Sequence, residues 1–570
     1  MRTKLLFIYS LITVILFSCS NSEETENLVA VGGKQYGGEI KFMSSEKVSS
    51  LFPIESIDIF NERILSQMFE PLFQIDLNTL KVTPGIAESF KINKNATVYT
   101  LKIRKGVKFH SDDCFSSDGR EVTAEDVKFT LDLACSGLPN NQISYLLINY
   151  IKGAKDFNKK SKNSLPENGV SGIKVIDPYT IKIELSQAFT SLDKVLTHTG
   201  LSIIAKEAYE KYGTDVKNHP VGTGPFMLEE LTAEKVILKR NPNYWKKDNF
   251  GNQLPFLDKI SITYSKNKKS ELLAFRKKEN DVVFEIPVEE IENILGTLQE
   301  AQQGLNVKHK IENVSSLSTA YIAFACESKE FSDERVRKAF NLAINRQKIV
   351  DNYLEGEGYP ALNGFVPPMD TYPNSDVKGF EQNVKEAQAL LAAAGYPNGS
   401  KFPALEVYVN TKVGSSKYQM VKGTIDQLNK NLGLHLKMKV CTITERNEAI
   451  ASGKAKIWRA AWIADYPDPE NFLSIFYGGN LNGKVSLINN FKFKSADYDK
   501  LYEAALKEIN PTKRNQLLVQ CDQLVIDKSP VMPILTGDFI LMVNARVRDF
   551  KTNSMENIDF SNVFIKEPRD

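Results

Sequence analysis

The chain has 570 residues, 72 Lys plus Arg against 70 Asp plus Glu for a net charge of +2, an apolar share of 42% and a charged share of 25%. These are the proportions of a soluble globular protein, and the balance of charge excludes a phosphate-tracking nucleic-acid surface, which needs a strong basic excess. The length accommodates about three to four ordinary domains, or fewer large lobes built from discontinuous segments.

The first segment is a targeting signal. Arg2 and Lys4 precede an apolar run, Leu5 to Phe17, too short to span a bilayer, and Leu16-Phe17-Ser18-Cys19 ends it with a cysteine. The pattern resembles a bacterial lipoprotein signal over 1–18, with Cys19 the lipidated (palmitate-bearing) start of the mature chain and a polar tether over 19–29. No later run reaches the roughly twenty apolar residues of a membrane helix. The body is therefore expected outside the cytoplasm, held to a bacterial membrane by lipid. Five cysteines remain beyond Cys19, an odd number without a C-x-x-C pair. Cys114 and Cys135 flank a loop and the helix after it, and in an oxidising compartment either a bridge between them or two free thiols fits that spacing.

After an extended start over Gly37 to Leu51, the pattern predicts a helix over Ile59 to Phe69, closed by Glu70-Pro71 because proline disfavours a helical residue before it. Thr97 to Ile103 alternates β-branched and aromatic residues and is a strand. Thr123, with Asp126 three residues on, forms a capping box that starts a helix running to about Cys135. Gly222-Thr223-Gly224-Pro225 is a tight turn whose glycines are expected to supply positive φ. It lacks the Gly-Lys-Ser/Thr of a phosphate loop. Arg335 to Val350 carries one apolar face and reads as a single amphipathic helix, and His435 is placed in a strand. Strand and helix patterns alternate throughout, the signature of α/β lobes.

Several stretches together carry a family resemblance. "AESFKINKNATVYTLKIRKGVKFH" and "REVTAEDVKFTLD" are followed in order by "IKVIDPYTIKIEL", "PVGTGPFML", "KRNPNYW", "LDKISITY", "FSDERVRKAFNLAINRQKIV" and "AGYPNG". The chain is identified by them as resembling the family 5 extracellular solute-binding proteins, the oligopeptide-, dipeptide- and nickel-binding components of ABC importers. The resemblance implies an α/β, two-lobed periplasmic-binding-protein-like fold with a hinge of crossing strands and an extra domain inserted in the first lobe. On that basis the first lobe is expected over 30–73, 205–312 and 536–570, the inserted domain over 74–204 and the second lobe over 313–535. It also implies a monomer that hands its solute to permease subunits with cytoplasmic ATPases.

Nothing in the sequence points to an enzyme, a cofactor or a metal. The five histidines, His110, His198, His219, His309 and His435, are scattered, and no G-x-S-x-G or H-E-x-x-H occurs. The stretch that concentrates binding chemistry is Arg459 to Phe472, Arg-Ala-Ala-Trp-Ile-Ala-Asp-Tyr-Pro-Asp-Pro-Glu-Asn-Phe. It reads as a strand running into a loop stiffened by Pro467 and Pro469, which loses little freedom on binding. On these residues alone, turn formation by Asp465 and Asp468 and a solvated face for Arg459 account for it better than a site does. The resemblance tips the balance: the family's Arg-Ala-x-Trp-x-x-Asp pattern falls on Arg459, Trp462 and Asp465. By resemblance Asp465 is the partner of a peptide's α-amino group, Arg459 neutralises a carboxylate, and Trp462 and Tyr466 are candidates to line the cavity. The expected solute is a short peptide. A metal chelate, heme or sugar in the same fold, or a peptide-sensing lipoprotein without a permease, are the alternatives.

Overall fold

The computed structural model describes residues 29–566 except 57, 118, 288, 291–293, 295–308, 371 and 482–487. The signal segment, Cys19 and nearly all of the tether lie outside the described residues. No helix among the described residues is long and apolar enough to cross a membrane.

Two long antiparallel strands, His309–Phe324 and Val531–Asn544, form a ribbon along which the molecule is strung. At one end, Val531–Asn544 pairs with Val282–Phe284, and the sheet continues through Glu39–Ser44 and Lys259–Tyr264 to two further antiparallel strands. At the other end, His309–Phe324 pairs with Ile457–Ile463, and the sheet continues to Glu406–Asn410 and Lys437–Cys441. The ribbon register slips between Ser315 and Thr319 and again between Ala320 and Tyr321, where Pro533 has no N–H to give the ladder. Each half of the sheet has its own apolar core. One is built on Ile40, Ile64, Phe226 and Ile260, the other on Ile322, Phe340, Val421 and Ile457. Two halves hung from opposite ends of one ribbon give the α/β, two-lobed architecture expected.

A separate four-stranded antiparallel sheet is formed by Ala87–Ile92, Val98–Ile103, Thr180–Glu184 and Ile173–Asp177. The capping box is present: Asp126 accepts the Thr123 N–H at 2.7 Å, and the helix runs Ala124–Ala134. The helix Ile59–Met68 is capped by Asp58, which accepts the Asn61 N–H at 2.8 Å, and it ends before Glu70-Pro71 as its sequence requires.

Three local expectations are corrected, and one open alternative is decided. The stretch Arg335 to Val350 contains two helices, Glu334–Leu342 and Arg346–Tyr353, because the Asn345 side chain caps the second by accepting the Lys348 N–H at 2.9 Å. Gly222 and Gly224 do not have positive φ. They are required by close approach, since a Cβ on Gly222 would lie 2.1 Å from the Met68 carbonyl oxygen at the end of the Ile59–Met68 helix. His435 is exposed in the connector just before the strand Lys437–Cys441. Cys114 and Cys135 are both free thiols, Cys135 buried at the end of its helix and Cys114 half-buried with its thiol beside the Asp112 carboxylate.

Candidate functional site

The strand Ile457–Ile463 is paired along its whole length with His309–Phe324 on one edge, but on the other only Ile457 and Trp458 meet the strand Glu406–Asn410. From Arg459 onward that second edge has no strand partner among the described residues. The chain then turns at Asp465. Pro467 follows, and a short helix, Pro469–Leu473, starts under the cap of Asp468, which accepts the Glu470 N–H at 2.9 Å.

Asn471, buried in that helix, holds the turn from inside. Its Oδ1 accepts the Trp462 indole N–H at 2.8 Å and the Asp465 backbone N–H at 3.0 Å, and its Nδ2 donates to Asp465 Oδ2 at 3.0 Å. Tyr145, from a distant segment, donates its hydroxyl to the same Oδ2 at 2.8 Å and packs edge-on against Trp462. The Asp465 carboxylate is thus clamped on one oxygen, while Oδ1 faces His198 Nε2 at 3.7 Å.

Asp465 and Trp462, with Ala461 and Ile463, line a cavity of about 460 Å³ whose opposite wall is the helix Ile59–Met68. That volume suits a small solute. The wall is acidic: Asp58, Glu62, Glu70, Asp465, Glu556 and Asp559 stand against Arg63 and Lys246. Both cations are already spoken for, Arg63 by Glu556 at 2.9 Å and Lys246 by Glu70 at 3.8 Å. Glu62 projects toward His198 at 3.8 Å, and its burial, reinforced by Asp465 and Asp58, pushes its carboxyl up to about 7. Burial disfavours a charged His198, but Asp465 and Glu62 outweigh it and raise the ring's pKa. No sequence pattern singles out Glu62, Tyr145, His198 or Asn471, although Asn471 lies within the stretch Arg459 to Phe472.

The other expected residues are placed differently. Arg459 does not line the cavity; it lies two residues back from Ala461 on the same strand face. Its Nε is buried without a hydrogen bond, and desolvation together with neighbouring Arg446 brings its pKa down to about 10. Tyr466 is 2% exposed and faces away from the cavity, its hydroxyl donating to Glu470 at 2.6 Å alongside Tyr150 and Tyr502. Asp468 is more than a turn former. Its buried carboxylate takes Arg514 at 2.9 Å, Lys194 at 2.8 Å and the Ser191 hydroxyl at 3.0 Å. His110 is structural, its ring packed into the Gly222–Gly224 turn, with Nε2 3.0 Å from the Gly224 carbonyl. No group of three or more His, Cys, Asp or Glu placed to hold a metal ion occurs among the described residues.

The model of the bacterial extracellular solute-binding proteins, family 5, matches residues 81–484. The chain belongs to this family. Among similar family 5 proteins, the oligopeptide-binding protein of Bacillus subtilis is 28% identical over 556 residues, 94% of each chain. The glutathione-binding protein of Salmonella typhimurium is 27% identical over 499 residues, 86% of this chain and 88% of the relative. The periplasmic binding protein of Helicobacter pylori solved in complex with the peptide STSA superimposes with a TM-score of 0.79 at 22% identity, over 93% of this chain and 99% of that one. Like those members, this family 5 chain is two-lobed, and its cavity lies between the lobes, with Glu62 on one side and Asp465 on the other.

Proposed function

We propose that this protein is the solute-binding component of an ABC importer, that its solute is a short peptide with a free amino terminus, and that it is tethered by lipid on Cys19 for delivery to a permease. The observation that carries the reading is the position of Asp465 at the end of an unpaired strand edge inside the cavity. An extended peptide laid along that edge completes the sheet with main-chain hydrogen bonds, which give affinity without reading side chains. Its amino group then meets a carboxylate held in place by Tyr145 and Asn471. The acidic lining favours a solute that brings positive charge. The proteins that resemble it support the same class, being named for oligopeptides and glutathione or solved with a peptide. Closure about the ribbon shields the contact from water, so the amine–carboxylate bond is worth about 1.5–3 kcal/mol rather than the ~0–1 of an exposed pair.

Calorimetry on the mature chain tests this with a tripeptide bearing a free amino terminus and its N-acetylated counterpart. The free peptide is expected to bind about ten-fold or more tightly than the acetylated one, and Asp465→Asn is expected to narrow the difference. Equal affinity for both peptides, or binding of neither, would sink the assignment.

A further inference from the structure

Asp465 is not the only anionic group that reaches the cavity from a rigid element. Glu62 stands in the first turn of the helix Ile59–Met68, in the opposite lobe, and lines the same space. Among the described residues no Lys or Arg lies within ion-pair distance of it; its partner there is the imidazole of His198, charged only when protonated. His198 is 5% exposed, and its Nδ1 accepts the Gly200 N–H at 2.9 Å, which places the proton of the neutral ring on Nε2. That Nε2 is aimed between the two carboxylates, 3.7 Å from Asp465 Oδ1 and 3.8 Å from Glu62 Oε1, too far for a hydrogen bond to either. Three polar groups from three distant segments therefore converge on one point without bonding one another.

We propose that Glu62 is a second anionic receptor for the peptide's ammonium group, which is held between Glu62 of one lobe and Asp465 of the other and so ties the lobes together. The inference rests on the amino-terminal assignment made above and sharpens it. A compact ammonium has three donors, enough to reach carboxylate oxygens on both walls, whereas an acetylated or uncharged head leaves two half-buried carboxylates with no ammonium between them. The geometry has a proton consequence. Glu62 faces His198 and Asp465 across the cavity and Asp58 and Arg63 on its own side, and burial with Asp465 and Asp58 holds its carboxyl at about 7. An arriving cation favours the ionised Glu62 carboxylate and the neutral His198 ring, so capture is expected to release protons at pH 6 and few by pH 8.5. At pH 6 the peptide's own amino group, with a pKa of ~7.7–8.0, is already charged and does not contribute.

The test is calorimetry of the mature chain at pH 6 in buffers of differing ionisation enthalpy, with the free-amine and N-acetylated tripeptides. Glu62→Gln is expected to weaken the free peptide about ten-fold or more, to leave the acetylated one within about three-fold, and to remove most of the proton release. Glu62→Asp, which keeps the charge but withdraws it by one methylene, falls between. The Glu62→Gln/Asp465→Asn double variant loses less than the product of the two single losses, because both carboxylates serve one cation. If Asp465→Asn weakens the free peptide while Glu62→Gln changes neither affinity nor proton release, the second receptor is refuted and the amino-terminal assignment stands. If the wild type does not distinguish the two peptides, both fall. A Glu62→Gln protein that weakens both peptides equally has lost shape rather than a receptor and also refutes the proposal.

Discussion

Replacing Asp468 with Asn removes one charge and turns one of its two accepting oxygens into a donor. The carboxylate is 1% exposed and is bound by Arg514 through two bonds of 2.9 and 3.1 Å, by Lys194 at 2.8 Å and by the Ser191 hydroxyl at 3.0 Å. Asn still caps the helix Pro469–Leu473. What it cannot do is neutralise Arg514, whose side chain is 10% exposed. Leaving one partner of a buried pair uncompensated costs about 3–5 kcal/mol, and Lys194, at 34% exposure, softens this toward the lower figure by returning to water. Asp468→Ala adds about 1 kcal/mol for the lost cap. Urea unfolding at pH 7 measures both. The pH dependence separates charge from packing: burial works against ionisation, but Arg514 and Lys194 outweigh it and hold the carboxyl well below its usual range, whereas in the unfolded chain it titrates near ~3.9. The folded value is the lower one, so the stabilisation is complete above about pH 5 and fades as pH falls below ~4. The gap between wild type and Asp468→Asn should narrow over that range. A loss under about 1 kcal/mol at pH 7, the value of an exposed pair, or a gap that stays constant from pH 7 to pH 3, would refute the argument.

Two further outcomes follow from single contacts. Gly222→Ala drives a Cβ to 2.1 Å from the Met68 carbonyl, which is backbone and cannot step aside; a loss of about 1–3 kcal/mol or more, read as a lowered melting temperature, is expected. Tyr145→Phe deletes the hydroxyl that Asp465 Oδ2 accepts at 2.8 Å and should weaken the free-amine peptide by up to about ten-fold while sparing the acetylated one, as calorimetry would show.

The sequence was most informative where cause and effect are a few residues apart. The capping box at Thr123, the helix stop at Glu70-Pro71 and the strand into a proline-stiffened turn at Asp465 all depend on neighbours in the chain, and all are present. The single helix expected over Arg335 to Val350 failed on a local signal that was available, Asn345 in capping position before Arg346. The glycines of the Gly222–Gly224 turn were rightly singled out for the wrong reason, because a close approach to Met68 leaves no trace in the chain around them. The rest of the site was illegible for the same cause. Tyr145 meets Asp465 across 320 positions, and Glu62 and His198 each sit in stretches whose pattern announces only a helix and a short turn. The resemblance carried Asp465 and Trp462 to the cavity, but could not show that Tyr466 turns inward to Glu470.

The half-paired strand Ile457–Ile463 has a consequence for what the molecule avoids as well as what it takes. A bare strand edge on an open surface is a template for another sheet, and so for aggregation. Here the bare length begins only after Trp458 and its far end lies in the cavity, walled by the helix Ile59–Met68 and the segment around Tyr145. A strand belonging to a folded protein brings its own neighbours with it and is too wide to enter. A free chain end is a single strand thick. On the proposed function, enclosure turns an adhesive edge into a filter that admits loose chain and refuses folded protein, with no reading of sequence at all.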